Sequence, residues 1–355
     1  MKKTILFTGG HHTSALSIAK LLKKEGFHIA WAGHKYTSSY DKNLSAEYQE
    51  VTLAKIDFYP LKTGKFYKIR NPLEFIKIFL GFLQSFSILI KTKPALIVSF
   101  GGYLSVPVVI AGSILGVSSI THEQTSVTGW ATKAVSPFVK KILLTHPSSI
   151  SSRFKDKSMV VGLPLDNNFF KIIKKKFSPP LLFITTGKQG SHIINKNIAQ
   201  IIPKLVKKYT VIHQTGSNSQ FNDFDYARRL KNRLKVHKSR YLPVKYIFGA
   251  EFNRLLKSAK IVVSRSGAHT SYKLALLKKP SILIPIPWVS HNEQQKNAQM
   301  TAKYASTIIL DQDKLSGELI LKNLDKLKLK TKPKKISPLP KDAGQKVLEL
   351  IHEYV

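Results

Sequence analysis

The chain is 355 residues long, 43% hydrophobic and 10% aromatic, with 57 Lys and Arg against 20 Asp and Glu, a net charge of +37, and no cysteine. That hydrophobic content excludes a disordered chain, the missing thiols exclude disulfides, thiolate metal sites and cysteine nucleophiles, and the length implies two domains at about 100–200 residues each. The lysines run the whole length, so either the composition is simply lysine-rich or the surface serves anionic partners: phosphorylated substrates, acidic lipid headgroups or nucleic acid.

In chain order, the first apolar run, Ile5 to Phe7, is too short for a signal peptide and reads as a strand over residues 4–7. Thr8-Gly9-Gly10-His11-His12-Thr13 then leads into a helix over 14–23. Glycines at a strand-to-helix turn let backbone N–H groups approach a phosphate, and the helix N-terminus adds partial positive charge. His11 sits where it could take a proton from a hydroxyl; a plain tight turn is the alternative. A strand over 28–32 follows. The most lipid-like stretch, residues 72–90, is interrupted by Glu74, Lys77 and Gln84. A spanning helix needs about 20 largely uncharged apolar residues, so this one is expected in an interface or a core.

A strand over 95–100 precedes Gly101-Gly102-Tyr103-Leu104-Ser105-Val106-Pro107, a second glycine turn at the same sheet edge. Together the two turns could cradle a diphosphate, or the second could be a simple connection. The strand over 118–121 ends in His122-Glu123-Gln124. Polar groups there are costly unless hydrogen-bonded or used, which leaves a structural and a catalytic role equally open. After a strand over 142–145, the series restarts near Pro179-Pro180, which places a domain boundary near residue 163.

The second half offers strands over 181–185, 210–213, 244–247, 261–263, 281–284 and 307–310. Thr186-Gly187-Lys188-Gln189-Gly190-Ser191 joins the first of these to a helix, with Lys188 available to a phosphate. Ser264-Arg265-Ser266-Gly267-Ala268-His269-Thr270 opens another helix N-terminus, a further anion seat. Gln294 and Asn297 share a helix face and could bind sugar hydroxyls, or be ordinary solvated amides. Residues 326–335 read as a solvated connection, and 342–354 as a helix with Val347, Leu348, Leu350 and Ile351 on its apolar side. Strands alternating with helices in both halves predict an α/β chain of two doubly wound domains, with ligands between the carboxyl ends of the sheets. No His, Asp or Glu cluster has metal-ligand spacing, and no nucleic-acid module accompanies the charge.

Taken in order, Thr8-Gly9-Gly10-His11, Gly101-Gly102-Tyr103 with Ser105 and Pro107, His122-Glu123-Gln124, Gln189-Gly190, His213-Gln214 with Gly216, Arg265-Ser266-Gly267-Ala268 with Thr270, and Gln294 with Asn297-Ala298 resemble the MurG family of glycosyltransferase family 28, over nearly the whole chain. The resemblance implies two Rossmann-like domains facing across a cleft, the GT-B type, with residues 1–163 plus 341–355 as the acceptor and membrane-binding domain and 164–340 as the donor domain. It implies inverting transfer of N-acetylglucosamine from UDP-N-acetylglucosamine to a polyprenyl-diphosphate-linked muramoyl-peptide, the lipid I to lipid II step of peptidoglycan synthesis. The protein would then sit peripherally at the cytoplasmic face of the bacterial plasma membrane, on an anionic surface, with no metal and no cofactor beyond the nucleotide sugar.

By the same resemblance, Thr8, Gly9, Gly10, Gly101, Gly102, Tyr103 and Ser105 bind the acceptor. Lys188, Gln189, Gly190, Phe248, Gly249, Ser266, Gly267, Ala268, His269, Thr270, Gln294 and Asn297 bind the donor. His11 is the first candidate base and Glu123 the second. Five departures stand out: Lys273 replaces a glutamate that accepts from the uridine ribose, Thr125 replaces an asparagine, Asp166 an arginine, Lys188 a serine, and Leu6-Phe7 the first pair of glycines of the first loop. The alternatives are a related transferase with another nucleotide sugar or lipid acceptor, and a non-catalytic member of the fold.

Overall fold

A computed structural model describes residues 2–38, 41–64, 72–150, 152–166, 168–218, 220–288, 292–329 and 339–355. The chain divides into two compact units, Met1–Asn167 with Pro340–Val355, and Asn168–Leu339.

The first unit contains β1 (Thr4–Thr8), α1 (His12–Lys24), β2 (His28–Gly33), a short hairpin of β3 (Tyr36–Ser38) and β4 (Asp41–Leu44), α2 (Ala46–Leu53), β5 (Asp57–Pro60) and α3 (Pro72–Thr92). It continues with β6 (Leu96–Ser99), α4 (Ser105–Ile114), β7 (Ser119–Glu123), α5 (Trp130–Val135), β8 (Lys141–Leu144) and β9 (Ser158–Val160). Seven strands form one parallel sheet in the order β5-β2-β1-β6-β7-β8-β9. Alternate side chains leave a strand on opposite faces, and both faces here are covered. Ile5 and Phe7 pack with Leu16 and Leu22 of α1 and with Val347 and Ile351 of the C-terminal helix Ala343–Tyr354. Leu6 packs on the other side with Leu89 of α3 and Val108 of α4. Such two-sided burial is why the strands read as unbroken apolar runs.

The second unit runs β10 (Leu181–Thr185), α6 (His192–Lys208), β11 (Thr210–Gln214), α7 (Asp223–Arg233), β12 (Tyr241–Val244), α8 (Gly249–Ser258), β13 (Ile261–Ser264), α9 (Ala268–Leu276), β14 (Ser281–Leu283), α10 (Glu293–Tyr304), β15 (Thr307–Ile309) and α11 (Gly317–Leu329). The C-terminal helix of the first unit is α12. Six parallel strands take the order β12-β11-β10-β13-β14-β15. Leu182 and Ile184 pack with α6 and α11, while Leu181 and Phe183 pack with α8 and α9. In each unit the strand order reverses beside the first strand, between β1 and β6 and between β10 and β13. Ligand crevices of doubly wound sheets open at that reversal.

Two expectations need correction. The third strand of the second half is Tyr241–Val244 rather than 244–247, with Pro243 inside it opposite His213. It lies at the sheet edge, where a residue without an N–H is tolerated. The edge strands β5 and β9 and the β3–β4 hairpin carry too little apolar patterning to be read from sequence. Residues 326–329 of the supposed connection continue α11, with Leu327 buried in the core, and 330–335 lie outside the described residues.

The lipid-like stretch lies partly in the core. Ile78, Ser85, Ile88 and Leu89 of α3 are buried, while Phe75, Ile76, Phe79, Leu80, Leu83 and Ile90 are exposed. Among the described residues α3 is the one helix long and apolar enough to cross a membrane, with a mean hydropathy of 1.5 over Phe75–Thr92.

Candidate functional site

In the first unit, the loops after β1 and β6 are pressed together at the strand reversal. Gly10 N–H donates to the Gly101 carbonyl at 2.8 Å. A Cβ on Gly9 would lie 2.7 Å from that same oxygen, and one on Gly102 would lie 2.8 Å from the Gly10 nitrogen. With φ of 130° at Gly9 and 75° at Gly102, both positions also demand a backbone that side chains resist. α1 starts without a side-chain cap and without an acidic residue in its first turn, so its leading N–H groups stay open to an anion.

His11 immediately precedes α1, half-buried. Burial pushes its imidazole below the usual 6.5, the nearby Glu123 opposes that, and His12 reinforces it. The ring is therefore neutral and able to accept a proton at pH 7. Glu123 ends β7 and is buried. Its Oε1 accepts from Thr125 N–H (3.1 Å) and Thr125 Oγ1 (2.8 Å), and its Oε2 from Gly129 N–H (2.8 Å) and Thr132 Oγ1 (2.7 Å). Four donors match the lone-pair capacity of a carboxylate, so Glu123 organises the loop that follows β7. Thr125, the departure from the family asparagine, is one of those donors.

The remaining residues of this set have definite occupations. His122 donates from Nε2 to the Gly162 carbonyl (2.9 Å), stacks on Phe100, and is held by burial at a pKa of about 4. Tyr103 pairs its hydroxyl with His34 Nε2 (2.6 Å), and Ser105 donates to the Gly102 carbonyl (2.8 Å). Thr8 Oγ1 is buried without a partner.

The second unit repeats the glycine device. A Cβ on Gly190 would lie 2.3 Å from the Thr215 carbonyl oxygen, so the loops after β10 and β11 cross there. Gln214 ties them further, donating to the Gly187 carbonyl (2.9 Å) and accepting from Ile247 N–H (3.1 Å). Lys188 places its ammonium 5.9 Å from the Tyr246 ring, which stacks on exposed Phe248. Gly249, at φ 59°, opens α8. Gly267 precedes α9, whose start has no side-chain cap and no acid in its first turn. Ala268, His269 and Thr270 form that first turn, beside fully buried Ser266.

The two amides of α10 diverge. Gln294 accepts from Ile286 N–H (3.1 Å) and stays half-exposed, while Asn297 is buried and donates to the Ser266 carbonyl (3.2 Å). Asn297 thus holds the turn rather than facing solvent. Lys273 donates to Asn253 Oδ1 (2.8 Å) with its ammonium near the Phe169 and Phe252 rings.

Sequence reasoning assigned no role to Asn195, Gln214 or Arg265. Asn195 donates to the Thr215 carbonyl and Asp223 (2.8 Å each) and accepts from His213 Nε2 (3.0 Å). His213, fully buried, is driven by that burial to a pKa of about 3. Gln214 and Arg265 stood in the sequence within the motifs that carry the family resemblance, without a role of their own, and Asn195 had no signal.

Residues 7–144 match the glycosyltransferase family 28 N-terminal domain, and residues 181–353 match the glycosyltransferase family 28 C-terminal domain. A UDP-N-acetylglucosamine--N-acetylmuramyl-(pentapeptide) pyrophosphoryl-undecaprenol N-acetylglucosamine transferase from Clostridium kluyveri is 30% identical over 100% of both chains. Its namesake from Clostridium perfringens is 31% identical over 92% of this chain and 91% of its own. Among solved structures, MurG of Acinetobacter baumannii is similar at a TM-score of 0.70 and 19% identity, covering 99% of each chain. The UDP-GlcNAc 2-epimerase of Neisseria meningitidis bound to UDP-GlcNAc has the same fold at a TM-score of 0.63 and 16% identity, over 99% of this chain and 100% of that one.

Proposed function

The chain belongs to the MurG family within glycosyltransferase family 28, and from that premise we propose that it transfers N-acetylglucosamine from UDP-N-acetylglucosamine to an undecaprenyl-pyrophosphate-linked N-acetylmuramyl-pentapeptide. The single observation that carries the reading to these residues is the pair of glycine turns in each unit, Gly9 with Gly102 beside the uncapped start of α1 and Gly190 with Gly216 beside the uncapped start of α6. Two pyrophosphate-bearing substrates need two such seats.

In this reading the turns at Thr8–Gly10 and Gly101–Ser105 take the acceptor diphosphate. Gly267, Ala268, His269 and Thr270 take the donor diphosphate, with Lys188, Gln189 and Gly190 beside it. Phe248 and Gly249 take the base, and Gln294 the sugar. The acceptor hydroxyl attacks the anomeric carbon as its proton passes to His11, and UDP leaves from the opposite face. Neutral His11 supports the role of base, and the four donors on Glu123 support a positioning role for it. Stabilising charge on departing UDP is the main electrostatic task, which Lys188 and the α9 N-terminus serve.

The exposed apolar face of α3, with exposed Lys77, Lys91 and Lys93 around it, supports docking on an anionic membrane surface from the cytoplasmic side. One observation favours a second reading, a different nucleotide-sugar donor. Lys273 brings no acceptor to the ribose and is engaged with Asn253.

The test is transfer of radiolabel from UDP-N-acetylglucosamine to a short-chain lipid-linked muramoyl-peptide, with parallel reactions using other sugar nucleotides. Label appearing in the lipid product supports the proposal. Label only from another donor replaces it with the second reading, and no transfer from any donor removes the enzyme assignment.

A further inference from the structure

Arg265 follows β13, and its guanidinium gathers neutral acceptors from three other strand ends. Nη1 donates to the carbonyl oxygens of Ile284 (3.0 Å) and Pro285 (3.3 Å), after β14. Nη2 donates to Ser191 Oγ (2.7 Å), at the start of α6, and to Gln312 Oε1 (2.6 Å), after β15. The Nε N–H is buried and has no acceptor among the described residues. Among those residues no acidic side chain pairs with the charge, and desolvation lowers the pKa to about 10, which still leaves the group cationic at neutral pH. Arg265 is half-buried, and a partly desolvated cation surrounded by neutral partners is costly unless a counter-charge arrives from elsewhere.

Ser191 connects that cation to the helix start. It is 8% exposed and stands at the N-terminal boundary of α6, directly after Gly190, yet its side chain makes no cap bond to the helix. Its oxygen accepts from Arg265, and no acceptor among the described residues takes its own proton. The first N–H groups of α6 therefore remain open, and a polarised hydroxyl is left with a hydrogen to donate. Ser266, next to Arg265 in sequence, is a fully buried hydroxyl without a partner among the described residues.

We infer that Arg265 and Ser191 act as one anion-recognition unit for the donor diphosphate, Ser191 donating to a phosphoryl oxygen and Arg265 supplying, without contact, the charge that the ligand neutralises. The inference rests on the assignment of the second unit as the donor site. Arg265 is a positioning residue in this scheme. It fixes the Ser191 rotamer, keeps α6 uncapped, and raises the local potential in a low-dielectric setting.

The experiment is calorimetric titration of the full chain with uridine, UMP and UDP, for wild type, Ser191→Ala, Arg265→Met and Arg265→Lys, each with a ligand-free thermal melt. Wild type should bind tighter with each added phosphate. Ser191→Ala should lose about tenfold to a hundredfold in UDP affinity, the worth of a charge-assisted hydrogen bond, while uridine affinity stays the same. Arg265→Met should lose at least as much, and Arg265→Lys less, because the charge remains. Ser191→Ala removes one oxygen and keeps the pairing assayable if Arg265→Met fails to fold. A wild-type ratio of UDP to uridine affinity in Ser191→Ala overturns the inference. A wild type that binds UDP no tighter than uridine overturns the donor-site reading itself.

Discussion

Gly190 and Gly216 touch backbone to backbone: a Cβ on Gly216 would lie 2.2 Å from both Cα and N of Gly190. Both residues also have positive φ, 93° and 91°. No side chain can yield at such a contact, because the clash is with main chain. Either alanine substitution should therefore cost about 2–4 kcal/mol in denaturant unfolding. Gly187 is the control, since it shares a positive φ of 82° but has nothing within 4 Å of its Cβ, and Gly187→Ala should cost only about 1 kcal/mol. Equal costs at the three sites would show that backbone conformation, not the crossing, decides stability there.

If His11 is the base, it must be neutral to work, and burial shifts its titration below 6.5. Turnover should fall as pH is lowered, with an acid limb displaced below that of an ordinary imidazole. His11→Asn should lower kcat by about 10²–10⁴-fold and abolish that acid limb. Near-wild-type turnover in the variant would remove His11 from the role.

Glu123→Gln places an amide NH₂ against donors, at the Thr125 pair or the Gly129 and Thr132 pair. Leaving buried donors unmatched should cost about 1–3 kcal/mol in stability. The acid limb of the rate profile should survive. A variant with native stability and no acid limb would instead make Glu123 the base.

Three histidines are buried in neutral form, His122 and His146 at pKa values of about 4 and His213 at about 3, all through burial. Their unfolded value is 6.5, so below that pH the unfolded chain binds protons that the folded chain refuses. The stability they contribute is complete above pH 6.5 and is lost as pH falls toward 4 and then 3. Urea unfolding between pH 7 and 4.5 should show this decline. His213→Gln should remove about 1.4 kcal/mol per pH unit of the slope. An unchanged slope would mean that His213 takes up its proton in the folded state.

The apolar face of α3 predicts a separable membrane function. Phe79→Asp with Leu83→Asp alters two exposed residues, 62% and 50% accessible, and leaves the buried face untouched. Co-sedimentation with anionic phospholipid vesicles should fall about tenfold, as expected when buried apolar area is lost and negative charge is added. Transfer to a water-soluble acceptor analogue should not change. Undiminished sedimentation would place the membrane contact on another surface.

Periodicity and turn residues by themselves determined the α/β class, the two sheets, the central strands and the glycine turns. A two-sided parallel strand must be an apolar run, and a turn that admits another backbone must be glycine. Edge strands were not legible, since β12 with Pro243 and β5 with Asp57 and Pro60 lack one packed face or one set of ladder bonds. What the polar residues do was decided only by tertiary structure. Glu123 and Asn297 look in sequence like a candidate base and a candidate ligand, yet Glu123 is consumed by four donors of the loop that follows it and of α5, and Asn297 by the backbone of the turn at Ser266. Arg265 looked like one letter of a turn, and only the convergence of several strand ends shows it to be a half-buried charge held by neutral acceptors among the described residues. Hydrogen-bond satisfaction and burial depend on which chain segments meet in space, and no local pattern records that.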